Sequence, residues 1–89
     1  MSNTPNITIY GSETCPYCTA ARMLLKKKGV TWDEIPVSRD AEKHAEMIAR
    51  SGRDSVPQIF IADQSVGGFD ELYALEVDGE LDRLLGAQE

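Results

Sequence analysis

The sequence is poor in the residues that build metal sites and disulfide frameworks. Its 89 residues contain only two cysteines, Cys15 and Cys18, and one histidine, His44. A structural zinc site needs four ligands, which are mostly cysteine and histidine, so the composition argues against structural zinc. A pair of buried, inert cysteines remains an alternative interpretation of Cys15 and Cys18.

Positive charge and long apolar runs are also scarce. Nine Lys and Arg stand against 15 Asp and Glu, a net charge of −6, whereas a nucleic-acid surface needs a basic patch. No apolar run approaches the roughly 18 residues of a membrane span, and the short polar stretch 1–5 predicts no signal peptide. We therefore expect one domain over residues 1–89, located in the cytoplasm, without nucleic-acid or membrane partners.

The sequence does contain one Cys-x-x-Cys motif, which lies between a predicted strand at 6–10 and a predicted helix at 19–28. This is the thioredoxin-like redox arrangement. The unpaired N–H groups and the positive dipole end of a helix N-terminus favour a thiolate over a thiol. Thiols so placed have pKa values of about 3.5–7.5 instead of about 8.5. The motif predicts that Cys15 is the nucleophile and that Cys18, one turn further on and less exposed, is the resolving cysteine.

The remaining chain alternates between predicted strands and helices. Strands are predicted at 30–37, 58–62 and 65–67, with a turn at 63–64, and helices at about 40–51, 69–76 and 80–85. The short strand–helix–strand connection predicts that the first two strands are parallel. His44 is expected on the exposed polar side of the second helix. The buried stripe predicted for that helix consists of Ala41, Ala45, Ile48 and Ala49.

In its motifs, the chain resembles the dithiol (CPYC-type) glutaredoxins over residues 7–86. Four features carry the resemblance at the family's spacing: IY at 9–10 before CPYC at 15–18, SGR at 51–53, SVPQIFI at 55–61 and GGFDEL at 67–72. The resemblance implies an α/β, thioredoxin-like fold with a four-stranded mixed sheet in the order 2-1-3-4 and helices on both faces. It also implies a cis peptide bond between Val56 and Pro57.

The resemblance further implies an enzyme, a glutathione-dependent thiol–disulfide oxidoreductase that serves electron transport and cell redox homeostasis. Glutathione would be the cosubstrate, and no metal is expected. The protein would act as a monomer on disulfide-containing or glutathionylated proteins, such as ribonucleotide reductase or similar reductases. Seven residues would bind glutathione: Tyr17, Arg53, Val56, Pro57, Gly68, Phe69 and Asp70.

Each end of glutathione has an expected partner in this sequence. The N-terminus of the helix that begins at Phe69 suits the γ-glutamyl carboxylate, and Asp70 suits the ammonium group. Arg53 is the best candidate for the glycyl carboxylate. Two positions depart from the family pattern, because Ser12 replaces a common lysine and Phe69 replaces a common third cysteine.

Three other functions stay open at this point. The first is a glutaredoxin-like reductase that receives electrons from thioredoxin reductase, which the absence of lysine at Ser12 favours slightly. The second is a dimer that holds a [2Fe–2S] cluster through two Cys15 thiolates and two glutathiones, which Pro16 and Cys18 oppose. The third is a redox-inert interaction protein on the same fold.

Overall fold

The computed structural model describes residues 6–86. Residues 1–5, for which the sequence predicts no signal peptide, and residues 87–89 lie outside the described part. Four strands and four helices follow one another along the chain. They are β1 (Ile7–Gly11), α1 (Pro16–Lys27), β2 (Asp33–Pro36), α2 (Ala41–Ser51), β3 (Gln58–Ile61), β4 (Gln64–Gly67), α3 (Phe69–Asp78) and α4 (Glu80–Leu84).

The strands form one mixed sheet in the order β2-β1-β3-β4. β1 runs parallel to β2 and antiparallel to β3, and β3 runs antiparallel to β4. The parallel pair is the one that α1 connects, as the strand–helix–strand pattern predicts. The turn of the hairpin between β3 and β4 lies at Ala62 and Asp63, both with positive φ, one residue earlier than expected.

The two faces of the sheet carry cores of different size. Alternation along β1 sends Ile7 and Ile9 to one face and Tyr10 to the other. The first face packs against α1, α3 and α4, while the second packs against α2. The larger core contains Ile7, Ile9, Ala21, Leu25, Ile59, Ile61, Leu72, Leu81 and Leu85. The smaller core contains Tyr10, Val37, Met47 and Phe60.

The prediction of which α2 residues face the core is wrong. Met47 is the fully buried residue of this helix, and Ile48 is 38% exposed, as are the three alanines of the predicted stripe. Polar side chains share the packing, because the Tyr10 hydroxyl donates to Glu46 and accepts from Arg50. The expected exposure of His44 is also wrong, since this residue is half-buried and its Nε2 lies 3.3 Å from the Asp54 carbonyl.

The sheet order and the placement of helices on both faces confirm the thioredoxin-like fold that the sequence resemblance implies. The peptide bond between Val56 and Pro57 is cis, also as implied. Over residues 6–86, no helix has the length and apolar character required to cross a membrane.

Candidate active site

The first thiol, that of Cys15, lies at the start of α1, after the loop that follows β1. Cys15 is the N-cap residue of α1, with extended backbone angles, and Pro16 occupies the first helical position, where a missing N–H costs no hydrogen bond. The backbone N–H of Cys18 donates to Cys15 Sγ at 3.3 Å. Cys15 is half-buried and its sulfur is free. The helix start therefore presents one of its unpaired N–H groups to this sulfur.

The second thiol lies one turn further on, on the inner face of α1. Cys18 is completely buried and its sulfur is also free. The backbone N–H of Ser12 donates to Cys18 Sγ at 3.4 Å. Burial raises the pKa of the Cys18 thiol to about 11. Cys18 is therefore a protonated thiol at neutral pH and is closed to large substrates.

A cleft of about 220 Å³ opens near Cys15. Val56 lines this cleft, and its carbonyl oxygen lies 3.8 Å from Cys15 Sγ. The cleft brings together every residue proposed to bind glutathione from the sequence, and adds Ser55 and Glu71. The lining residues are Tyr17, Arg53, Ser55, Val56, Pro57, Gly68, Phe69, Asp70 and Glu71.

Glu71 organises one end of this cleft. Its carboxylate accepts the backbone N–H of Gly68 at 2.8 Å and lies 3.4 Å from the Arg53 guanidinium. These contacts lower the pKa of Glu71, mainly through the Gly68 hydrogen bond. Sequence reasoning missed this residue, because Gly68 precedes the helix where a capping box has serine or threonine. Arg53 is thereby held on the α3 side of the cleft.

The cleft also has an aromatic wall. The rings of Tyr17 and Phe69 are 6.4 Å apart, and Phe69 stacks on Tyr73 at 5.8 Å. Tyr17 and Tyr73 are more than half exposed. Phe69 therefore joins two exposed rings into one apolar surface beside the site.

A second cleft meets the first at Val56. Its lining includes Ser12, Arg39, His44 and Asp54, whereas Gly68 and Asp70 line only the first cleft. Sequence reasoning gave no role to Arg39, because this residue lies in the loop before α2 and no motif marks it. In the described part of the chain, no cluster of three or more His, Cys, Asp or Glu side chains is arranged to hold a metal ion.

This arrangement supports exchange between thiols and disulfides. A sulfur that is accessible and held by a helix N-terminus can attack a disulfide, and a second, buried sulfur within reach can then displace the product. Together with the thioredoxin-like sheet, the two sulfurs define a thiol–disulfide oxidoreductase.

Comparisons with known proteins identify the family. The glutaredoxin family model matches residues 7–66. Glutaredoxin 3 of Escherichia coli is 56% identical over 80 residues, which cover 90% of this chain and 96% of that protein. The solution structure of glutaredoxin from Brucella melitensis is 48% identical, with a TM-score of 0.82, covering 97% of this chain and 94% of that one. The buckwheat glutaredoxin–glutathione complex shares the fold, with a TM-score of 0.84 over 96% of this chain and 79% of that chain at 23% identity.

The chain therefore belongs to the glutaredoxin family. Membership makes it a glutathione-dependent thiol–disulfide oxidoreductase that uses a Cys15 and Cys18 redox pair.

Proposed function

We propose that Cys15 performs every exchange with a second molecule and that Cys18 reacts only with Cys15. In the dithiol route, the Cys15 thiolate attacks a protein disulfide, forms a mixed disulfide and releases one thiolate of the target. Cys18 then attacks Cys15 Sγ, which releases the second thiolate and leaves a Cys15–Cys18 disulfide. Two glutathione molecules reduce this disulfide and leave as oxidised glutathione.

In the monothiol route, the Cys15 thiolate attacks the target's glutathionyl sulfur. The target leaves as a thiolate, and glutathione remains attached to Cys15 until a second glutathione removes it as oxidised glutathione. Cys18 takes no part in this route. The contrast between the accessible Cys15 and the fully buried Cys18 is the observation that carries this division of roles.

Glutathione would lie along the cleft with its cysteine beside Val56. The Val56 backbone would pair with the cysteinyl backbone of glutathione, as an added strand does, which places the ligand sulfur beside Cys15. The γ-glutamyl carboxylate would receive unpaired N–H groups of the first turn of α3, and Asp70 would receive the ammonium group. Tyr17 and Pro57 would flank the tripeptide.

The glycyl carboxylate has two candidate cations. Arg53 would bind it by exchanging its ion pair with Glu71 for the ligand. Arg39, in the second cleft that Val56 also lines, offers a second guanidinium near Ser12, where many family members have lysine. The variants Arg53→Gln and Arg39→Gln separate the two candidates. The variant that lacks the binding cation should show a KM for glutathionylated substrate raised about tenfold, as expected for one lost charge-assisted hydrogen bond.

The use of glutathione is tested by supplying electrons from two sources. Glutathione, glutathione reductase and NADPH should support turnover of a small glutathione mixed disulfide, whereas thioredoxin reductase and NADPH should not. If only thioredoxin reductase supported turnover, the glutathione route would be wrong.

The binding mode is tested at Asp70. Asp70→Asn should raise the KM for the mixed disulfide severalfold with little change in kcat, because it removes the partner of the ammonium group and leaves both sulfurs in place. Asp78→Asn, at the exposed end of the same helix, is the matched control and should leave KM unchanged. Equal KM values in the two variants would contradict the proposed orientation of glutathione.

The cellular setting is part of the same proposal. The protein would act in the cytoplasm as a monomer, in electron transport and redox homeostasis, on glutathionylated or disulfide-containing proteins such as ribonucleotide reductase. Size-exclusion chromatography with light scattering tests the monomer. A dimer that is brown after anaerobic purification would instead support the [2Fe–2S] alternative.

A further inference from the structure

An ion pair links α1 to β2 directly beside the resolving cysteine. Arg22 lies four residues after Cys18 and therefore on the same side of α1. Its guanidinium binds the Glu34 carboxylate through Nε at 3.0 Å and through Nη2 at 2.6 Å. Trp32 Nε1 donates to the same carboxylate at 3.1 Å. Glu34 is thus held at two points and fixes the direction of the guanidinium.

Arg22 also binds the loop that contacts the Cys18 sulfur. Its Nη2 donates to the Ser12 carbonyl at 3.0 Å, while the Ser12 N–H donates to Cys18 Sγ at 3.4 Å. Both backbone groups of Ser12 are therefore engaged, one by the cation and one by the resolving sulfur. A Cβ atom on Gly11 would lie 3.0 Å from Cys18 Sγ and 3.5 Å from Glu34 Oε2, so a single glycine separates the sulfur from the ion pair.

We propose that Arg22, oriented by Glu34, is a positioning residue for the resolving sulfur of Cys18. By holding the Ser12 carbonyl, Arg22 keeps the Ser12 N–H directed at Cys18 Sγ, where this N–H stabilises the thiolate that attacks the mixed disulfide. This inference rests on the proposed dithiol route, in which Cys18 acts as the resolving thiol.

Arg22 assists the exchange that converts the glutathione adduct into the intramolecular disulfide. The Cys18 thiol releases its proton to solvent, and the thiolate attacks Cys15 Sγ of the Cys15–glutathione mixed disulfide. The bond between Cys15 Sγ and the glutathione sulfur breaks as the Cys15–Cys18 bond forms, and glutathione leaves as a thiolate with the electron pair. Among the described residues, the titratable groups around Cys18 are Cys15, Arg22 and Glu34.

The experiment measures the rate of the resolving step separately from the other exchange steps. Reduced protein is mixed rapidly with oxidised glutathione and quenched in acid, and mass spectrometry follows conversion of the glutathione adduct into the intramolecular disulfide. Arg22→Gln should slow this conversion about tenfold, as expected for one lost charge-assisted hydrogen bond. Arg22→Lys should be slowed less than Arg22→Gln, because it keeps one donor for the Ser12 carbonyl. Glu34→Gln should also slow conversion, because the guanidinium loses its orientation.

Two controls and one thiolate titration separate positioning from a general effect on the fold. Lys28→Gln removes the other paired cation of the α1 region, which binds Glu76 and Asp82 at 2.5 and 2.8 Å, and should leave the conversion rate unchanged. In a Cys18→Ser background, Arg22→Gln should leave turnover of the small mixed disulfide unchanged. With Cys15→Ser, absorbance titration of the remaining thiolate should show a higher Cys18 pKa in Arg22→Gln.

The outcomes distinguish this inference from the proposed function. If the unmodified protein formed no Cys15–glutathione adduct, the proposed function would fail. If the adduct formed and Arg22→Gln resolved it at the normal rate, only the role of Arg22 would be wrong. Faster conversion in Glu34→Gln, or an equal loss of activity in the Cys18→Ser background, would also overturn that role.

Discussion

Cys15 and Cys18 stand three residues apart on one helix, yet their sulfurs have different surroundings. Cys15 is at the helix N-cap, where its half-buried side chain meets the cleft at the Val56 carbonyl. Cys18 is fully buried between α1 and the sheet, and its sulfur accepts the Ser12 N–H. The difference supports the proposed division of roles, in which Cys15 reacts with a second molecule and Cys18 reacts only with Cys15.

Among the variants that test this difference, Cys15→Ser should reduce activity most. Turnover of both a small glutathione mixed disulfide and a protein disulfide should fall at least about 1000-fold, because a serine hydroxyl does not ionise near neutral pH. NADPH consumption in the coupled assay measures both reactions, and circular dichroism verifies folding. Residual turnover of a folded variant within tenfold of the unmodified protein would mean that Cys18 is open to substrates.

The pH dependence of the resolving step tests the effect of Cys18 burial without any mutation. The pKa of Cys18 is raised by burial to about 11, so its reactive thiolate form grows as pH rises toward that value. Burial persists in the glutathione adduct, so the thiolate fraction should increase at least about tenfold between pH 7 and 9, and the adduct-to-disulfide conversion measured by acid quench should rise with it. A conversion rate that stayed flat over this range would contradict the burial argument.

A smaller effect is expected from crowding the buried sulfur. In Gly11→Ala the new methyl group would lie 3.0 Å from Cys18 Sγ, so the sulfur or the strand must shift. Unfolding free energy should fall by about 1–3 kcal/mol, as for other overpacked sites, and the resolving step should slow severalfold. Urea denaturation and the acid-quench assay measure the two effects.

Gly79→Ala is the control for Gly11→Ala. Gly79 has a φ of 80°, and no atom lies within 4 Å of an added Cβ. Its substitution should cost about 1 kcal/mol through backbone strain without slowing the thiol chemistry. Equal slowing in both glycine variants would show that lost stability, not displacement of the Cys18 sulfur, controls the resolving step.

The helices α1 and α2 show why sequence periodicity predicts one part of the fold better than another. On α1, Ala21 and Leu25 have the i, i+4 spacing of an apolar stripe, and both are buried in the core, because this helix packs that stripe on the sheet. On α2 the alanine and isoleucine stripe faces outward. Met47 and the polar contacts of Glu46 and Arg50 with Tyr10 attach this helix instead, and a period of apolar residues does not reveal such partners.

Sequence patterns also predict only part of the candidate active site. The motifs predict the two thiols and seven of the nine residues that line the cleft, because these lie in local segments with a recognisable pattern. The Arg22–Glu34 and Arg53–Glu71 pairs could not be predicted in this way, since their members come from different elements and meet only in the folded chain. Arg53 and Glu71 each lie in a motif, but neither motif indicates that the two side chains meet.

The most direct test of the division between the two sulfurs is Cys18→Ser, assayed on two substrates. This variant should retain turnover of a small glutathione mixed disulfide, which needs only Cys15, and should lose reduction of a protein disulfide that requires a resolving thiol. Both activities are read as NADPH consumption with glutathione and glutathione reductase. Loss of both activities in a folded variant would contradict the account, because Cys18 would then be needed for the exchange that is assigned to Cys15 alone.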